Sequence, residues 1–354
     1  MDDLTALPAR MAILVSGLAM LLVLALTVWG LAGGPVARQT AYDIVAFLAM
    51  VLGYNLFTGT TGYISFGHGL FYALGGYSAI LLAGSLGGVG AVIAAGLVNA
   101  VLAVILLGPL LRSKGPYFSI ASLALFLAAS GIVSVLPGLG GSEGLTAPPG
   151  AGLDTGTALL VSACIAVIAV LASLLVGATR VGKRVIAVRD NEEAARSLGL
   201  SPLPYRLAML ALSGFIVGSV GGAYFLSYGG RGYIDPELAF DPRTNVLMVL
   251  AAVAGGVGSL TGVLLGALVV KVLDNLLAMY SPTLVALLGA NQSEAPVLVT
   301  TVTYSTLGLL VALIAVAAPR GIYGLLEPLL RARLSRIRGV SVEVEERSRE
   351  GGRG

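Results

Sequence analysis

Long apolar blocks, separated by short polar or Gly- and Pro-rich segments, run along almost the whole chain. Most blocks hold about 20 residues, the length at which an α-helix crosses a bilayer core of about 30 Å. The pattern predicts an all-α, polytopic membrane protein with about ten transmembrane helices (eight to ten), some of them broken or re-entrant. The blocks occupy residues 11–31, 41–57, 66–84, 89–111, 117–136, 157–178, 207–228, 244–259, 262–281 and 297–317.

The block at 244–259 is short for a full crossing. A broken or re-entrant helix is tolerated at membrane depth only where protein covers its backbone. We therefore expect this segment to lie inside the helix bundle.

Composition agrees with a membrane protein. The 354 residues are 57% apolar and only 11% charged, whereas soluble domains carry about 25% charged residues. These values exclude a soluble enzyme, a nucleic-acid reader and a disordered protein. One histidine and one cysteine leave no cluster for a zinc or haem site, so we expect no metal and no cofactor.

The basic residues predict the orientation. In a ten-helix topology, 17 of the 21 Lys and Arg residues fall on one side and three on the other, while Lys271 lies within a block. Cytoplasmic segments carry the excess of Lys and Arg. We therefore expect both termini in the cytoplasm: an N-terminus at 1–10, a membrane domain at 11–320 with a polar loop at 180–206, and a basic, disordered tail at 321–354.

The polar loop (residues 180–206) has helix signals of its own. Asp190 is placed to cap a helix, Glu193 is its reciprocal capping-box partner, and Gly199 can supply a left-handed stop. Such a helix is either a solvated connection or a docking element for a soluble partner. Its small, flat surface would consist of Ala194, Ala195 and Leu198.

Four stretches resemble the LivM-type permease family of bacterial branched-chain amino acid importers. Glu193-Ala194-Ala195 followed by Gly199 is similar to the EAA–Gly signature of ABC importer permeases, and the other stretches are 59–79, Gly182–Tyr228 and 246–268. The resemblance implies that the helix docks ATPase subunits through Asp190, Glu193, Ala194, Ala195, Leu198 and Gly199.

The resemblance also implies a function. The chain would be a non-catalytic permease subunit of an ATP-binding-cassette importer in the bacterial plasma (inner) membrane, moving branched-chain or related amino acids by alternating access. Its partners would be a second related permease (as a heterodimer), two cytoplasmic ATPases that hydrolyse the ATP, and an extracytoplasmic solute-binding protein. A family member for urea or amides, or an ion-gradient-driven secondary transporter, are the alternatives.

Polar residues inside apolar blocks are the candidates for a translocation path or gate. Ser65 and His68 lie in a Gly-rich segment, where close packing around a neutral histidine is the other interpretation. Lys271 and Asp274 stand on one helix face at i,i+3 spacing, with Asn275 adjacent. They form either a gate element or a structural ion pair.

A stripe of small residues predicts close helix packing. Gly258, Gly262 and Gly266 make two successive G-x-x-x-G steps, which allow helix backbones to approach. The packing partner is either a second permease or another helix of the same chain.

Overall fold

The computed structural model describes residues 9–113, 115–227 and 232–287, with isolated positions at 298, 301, 305–306, 308–309 and 321. These residues form eleven α-helices and one two-stranded antiparallel sheet. The helices are α1 (Ala9–Ala32), α2 (Pro35–Thr61), α3 (Gly69–Leu106), α4 (Pro116–Val135), α5 (Thr155–Ala178), α6 (Arg180–Asp190), α7 (Glu192–Ser197), α8 (Pro202–Leu226), α9 (Pro236–Ala239), α10 (Pro242–Gly255) and α11 (Leu260–Leu287). The strands are β1 (Leu145–Thr146) and β2 (Tyr233–Ile234).

Eight helical segments in the described part of the chain are long and apolar enough to cross a membrane. This confirms the predicted all-α polytopic fold. The tenth apolar block (297–317), the N-terminal residues 1–8 and nearly all of the tail lie outside the described residues.

Burial does not follow hydropathy. The crossing part of α2 is 94% buried with a mean hydropathy of only 1.5, whereas that of α1 is 28% buried with a mean hydropathy of 2.3. In a bilayer, a peripheral helix must be apolar all round, but a helix packed inside the protein can carry polar side chains that its neighbours satisfy. Helix α2 is therefore the central element of the bundle.

Helix α3 is an antiparallel hairpin. A straight helix of its 38 residues would be about 57 Å long, far more than a bilayer core requires. Gly87 has non-helical angles (φ 68°, ψ 168°), and the Cβ positions of both Ala79 and Ala95 lie within 3.4 Å of a Cβ built at Gly222. The chain thus reverses at Gly87, and its two arms correspond to the predicted blocks 66–84 and 89–111. The described residues accordingly contain nine crossing segments.

The short block at 244–259 belongs to an interrupted crossing. Helices α9 and α10 together form one membrane-length segment, and the break between them is capped by the Asp241 carboxylate, which accepts from the Arg243 backbone N–H at 2.9 Å. The segment ends at Gly256 and Gly258, both with positive φ, where the Gly258 N–H donates to Asn55 Oδ1 at 2.8 Å. It is a broken crossing helix that ends beside the last turns of α2.

Two opposite faces of the bundle can be distinguished. Strand β1 pairs with β2, and Leu153 bridges to Ser227, on the face that carries the tip of the α3 hairpin. The polar loop and the end of α10 lie at the other face. Gly321 belongs to that second face as well, because a Cβ on it would lie 2.5 Å from the Gly256 backbone nitrogen.

Candidate functional site

The polar loop folds as two short helices, α6 and α7, joined at Asn191. The Thr179 hydroxyl caps α6 by accepting from the Gly182 N–H, and Asn191 caps α7 by accepting from the Ala194 N–H at 2.9 Å. The expectation that Asp190 caps this helix is wrong, because Asp190 is the last residue of α6. Its carboxylate instead holds the Arg189 guanidinium at 2.7 Å.

Helix α7 presents one exposed face and one buried side chain. Glu193 and Ala194 are exposed, and Leu198 is 81% exposed. Ala195, by contrast, is only 3% exposed, so it packs against its own chain and cannot contribute to a docking surface as expected. Gly199 has φ +80° and ends the helix in the left-handed conformation that the sequence predicts.

Arg189 connects the polar loop to the end of α2. Its side chain is 8% exposed, and its Nη1 donates to the Gly59 carbonyl at 2.7 Å. The aliphatic stem lies against Gly62, whose φ is +77° and on which a Cβ would lie 3.1 Å from Arg189 Cγ. A side chain other than hydrogen at Gly62 would therefore displace this arginine.

Arg206 makes a second connection. Its Nη2 donates to Glu192 Oε2 at 2.8 Å, and its guanidinium lies 4.8 Å from the centroid of the Tyr63 ring. Arg196 holds the other oxygen of Glu192 at 2.8 Å. The hydrogen bonds from Arg206 and Arg196 hold the pKa of the Glu192 carboxyl below its usual value. The sequence analysis did not identify Arg189 and Arg206 as connecting residues, because the excess of Lys and Arg in cytoplasmic segments already accounted for both.

The chain between α2 and α3 is not helical. This broken segment (residues 62–68) is held by side chains of other helices. Ser122 of α4 accepts from the Phe66 N–H at 3.1 Å, and Asn245 of α10 accepts from the Gly69 N–H at 3.1 Å while donating to the Phe66 carbonyl. These bonds satisfy backbone groups that no helix ladder pairs, as a protein-covered break at membrane depth requires.

The two candidate path residues in the broken segment are buried. Ser65 accepts from the Gly67 N–H at 3.2 Å. His68 Nε2 lies 2.9 Å from the hydroxyl of Ser213, in the middle of α8. The rings of three aromatic residues stand within 5.3 Å of the imidazole centroid: Tyr54, Phe57 and Phe71. This geometry favours the interpretation of His68 as a packed histidine.

Lys271 and Asp274 form a membrane-depth ion pair that a third residue joins. Lys271 Nζ lies 3.2 Å from Asp274 Oδ2, and Arg243 contacts Asp274 Oδ1. Each isolated charge at the centre of a membrane helix would cost about 2.5–3.5 kcal/mol on insertion scales. The trio lines a cavity of about 310 Å³, hereafter the charged cavity. Asn275, Ser65 and His68 do not line it, so the predicted path residues occupy separate places.

The glycine stripe packs within the chain. Gly258 precedes α11, and a Cβ on Gly59 would lie 2.7 Å from its Cα. A Cβ on Gly266 would lie 2.6 Å from the Gly255 nitrogen, and one on Gly255 would clash with the Gly262 carbonyl. The close contacts therefore join α10, α11 and α2 of one subunit.

Comparison with known proteins gives the family. Residues 36–317 match the family described as the branched-chain amino acid transport system permease component. The chain belongs to this family. As a permease with membrane-length helices, it is a multi-pass protein of the inner membrane.

Individual relatives agree with the family. Over 279 residues, this permease is 25% identical to the high-affinity branched-chain amino acid transport system permease protein LivM of Salmonella typhimurium, and equally to that of Escherichia coli. The match covers 69% of the chain and 64% of each LivM protein, less than two thirds of their length. The xylose transport system permease protein XylH of Haemophilus influenzae is 32% identical over 116 residues, 32% of this chain and 31% of that protein. No solved structure matches the permease.

Proposed function

We propose that this permease is the membrane-spanning subunit of an ATP-driven importer of branched-chain or related amino acids. A second related permease, two ATPases and an extracytoplasmic solute-binding protein would complete the complex. The observation that carries the proposal is the polar loop, which exposes Leu198 while Arg189 and Arg206 attach it to the end of α2 and to the broken segment. A loop that served only as a solvated connection would not require two buried arginines.

In this proposal the polar loop faces the cytoplasm, in agreement with the positive-inside bias. Residues 1–10 and the tail (321–354) lie on the same side. The position of Gly321 supports this arrangement, because the tail begins at the face that carries the polar loop. The ATPases would dock on the exposed face of α7, which consists of Glu193, Ala194 and Leu198.

The proposed mechanism is alternating access. ATP binding closes the two ATPases and displaces α7. Because Glu192 is bonded to Arg206 and Arg189 to the Gly59 carbonyl, the displacement reaches the inner end of α2 and the broken segment. The permease pair then switches from the inward-facing to the outward-facing state, and the binding protein delivers the next substrate.

Reconstitution tests the function. The permease, its candidate partner permease and ATPases are placed in proteoliposomes, and uptake of labelled leucine is measured with the binding protein outside and either ATP or a non-hydrolysable analogue inside. We expect leucine uptake with ATP but not with the non-hydrolysable analogue, and we expect an ionophore to leave this uptake unchanged. ATP-driven uptake of urea or acetamide in place of leucine would favour the family alternative.

One observation speaks for the secondary-transport alternative. The charged cavity brings the carboxylates of Asp43, Asp241 and Asp274 together, and such transporters use intramembrane carboxylates as proton or ion sites. Leucine uptake that persists without ATP and collapses with an ionophore would establish that alternative and refute the importer.

A further inference from the structure

The charged cavity lies between α2, α3, α8, α10 and α11, nearer to the face of the β-sheet than to the polar loop. Arg243 is in the first turn of α10, and Tyr224 is in the last turn of α8; both line it. At about 310 Å³, the cavity is at the lower end of the range for small-molecule sites. It is large enough for a small organic ligand.

Five charged side chains line this cavity: three carboxylates (Asp43, Asp241 and Asp274) and two cations (Arg243 and Lys271). Arg243 and Lys271 share the single carboxylate of Asp274, which leaves this trio with one net positive charge. Asp43 and Asp241 line the same cavity and carry the opposite sign. Gln39 donates to Asp43 at 3.0 Å, and the Asp241 carboxylate caps α10, so both are held in place by neutral donors.

The rest of the lining includes large apolar side chains. Phe47 and Met50 come from α2 and Leu247 comes from α10. The Lys271 ammonium lies 5.7 Å from the centroid of the Phe47 ring, so the cationic and apolar parts of the cavity adjoin. The cavity therefore offers cations, carboxylates and an apolar wall to a single small ligand.

We propose that the charged cavity binds a small apolar α-amino acid as its zwitterion. The ligand carboxylate is held by Arg243 and Lys271, the ammonium by Asp43 and Asp241, and the side chain by the apolar wall. This site deepens the proposed import function and rests on it for the substrate class. A neutral amide or urea offers no paired charges, so the same geometry argues against those ligands.

Three probes that share the same branched hydrocarbon chain test whether the ligand needs both charges. L-Leucine carries both charges, 3-methylbutylamine only the positive one, and 4-methylpentanoate only the negative one. Binding to the full-length permease in lipid nanodiscs is measured by calorimetry. We expect each single-charge analogue to bind at least tenfold more weakly than L-leucine. Equal affinity for all three, or no L-leucine binding by folded permease, would overturn the proposal.

Substitutions test which side chains hold the ligand ammonium and which hold the ligand carboxylate. Asp43→Asn should weaken the binding of L-leucine at least tenfold and leave the binding of 4-methylpentanoate almost unchanged. Arg243→Gln should weaken the binding of both L-leucine and 4-methylpentanoate and leave that of 3-methylbutylamine unchanged. The ratio of the dissociation constants of two probes, measured on one variant, remains informative even if less of that variant is folded. Glu143→Gln, a carboxylate on the sheet face outside the cavity, is the control and should change none of the ratios. Unchanged ratios in Asp43→Asn and Arg243→Gln would refute the site.

The site and the function can fail separately. If ATP-driven leucine uptake by the complex continues in Asp43→Asn with an unchanged KM, the site is refuted and the importer stands. If the permease binds L-leucine with the expected probe ratios but the complex shows no ATP-driven uptake, the site stands and the proposed function is refuted.

Discussion

Replacing Arg206 by methionine should release α7 from the membrane domain. The Arg206 side chain is 9% exposed and that of Glu192 is 22% exposed, and their contact is 2.8 Å long. A hydrogen bond between charged groups in such a position contributes about 1.5–3 kcal/mol, and the contact with the Tyr63 ring adds about 0.5–1 kcal/mol. Since neither contact is fully buried, we expect a net loss of about 2–3 kcal/mol, or roughly 30- to 150-fold in the docking equilibrium.

Arg196 provides a matched control on the same carboxylate. It also holds Glu192 at 2.8 Å, but its side chain is 64% exposed and the pair has i,i+4 spacing on one helix. Exposed pairs of this kind contribute about 0.3–0.5 kcal/mol. Arg196→Met removes the same charge as Arg206→Met but should change docking only about twofold.

Hydrogen exchange of the α7 backbone amides measures the docking. In Arg206→Met, amides around Ala195 should exchange roughly 30- to 150-fold faster, while those of the bundle helices keep their protection. In Arg196→Met the change should stay near twofold. Equal acceleration in the two variants would show that charge alone matters, and no acceleration in Arg206→Met would refute the anchoring role.

The same contact predicts a pH dependence. The pKa of Glu192 is lowered in the folded state by its hydrogen bonds to Arg206 and Arg196. A carboxyl with a lowered pKa stabilises the folded state above its unfolded pKa, about 4.3 for glutamate, and loses that contribution as the pH falls through the folded value. Docking of α7 should therefore be constant near neutral pH and weaken below about pH 4, and this acid-induced change should be smaller in Arg206→Met.

Three further predictions concern topology, charge pairing and the end of α7. In a cysteine-free background, a cysteine at Ser142 should react with an impermeant thiol reagent in intact cells, and one at Ser197 only after permeabilisation. Asp274→Asn removes the carboxylate that Arg243 and Lys271 share and should destabilise the protein by about 1–3 kcal/mol, more than Lys271→Met or the double variant; thermal unfolding in detergent measures this. Gly199→Val should cost about 1–2 kcal/mol at φ +80° and reduce substrate-stimulated ATP hydrolysis, whereas Gly199→Asn should be mild.

The crossing segments were predictable because lipid imposes a continuous apolar requirement. Each apolar block within the described residues coincides with a helix or with one arm of the α3 hairpin. The first turns of α2 escaped the pattern, because Arg38 and Gln39 interrupt its apolar run before the buried part begins. Pro35, in the first turn, was the available signal. The capping residue of α7 was misplaced by one position, because Asp190 and Asn191 are adjacent and both are good caps.

Contacts that cross the bundle were not predictable in this way. Arg189 meets a carbonyl 130 positions away, and Arg243 meets a carboxylate 31 positions away. A hydropathy pattern identifies which segments cross, but not which faces meet. Asn245 illustrates the limit, since one polar residue in an apolar block is equally compatible with a lipid-facing defect and with the backbone clamp that it forms.

The positions of these contacts on α2 and α10 link the two proposed sites. Asp43 lines the charged cavity and the Gly59 carbonyl holds Arg189, so their separation of 16 positions places the sites about 24 Å apart along one helix. Because α2 is 94% buried, it cannot bend without repacking its neighbours and should move as a rigid element. On α10, Asn245 clamps the broken segment two residues after Arg243 enters the cavity.

Coupling through such elements must be reciprocal, because the free energy that links two binding events is the same in both directions. If α7 displacement alters the charged cavity, then saturating L-leucine must alter the docking of α7. The exchange rates of the α7 amides should therefore change on adding L-leucine to the unmodified permease, and not on adding 3-methylbutylamine at the same concentration. The response should disappear in Asp43→Asn. Exchange that is indifferent to L-leucine in a permease shown to bind it would mean that α2 and α10 do not connect the two sites, whatever each does alone.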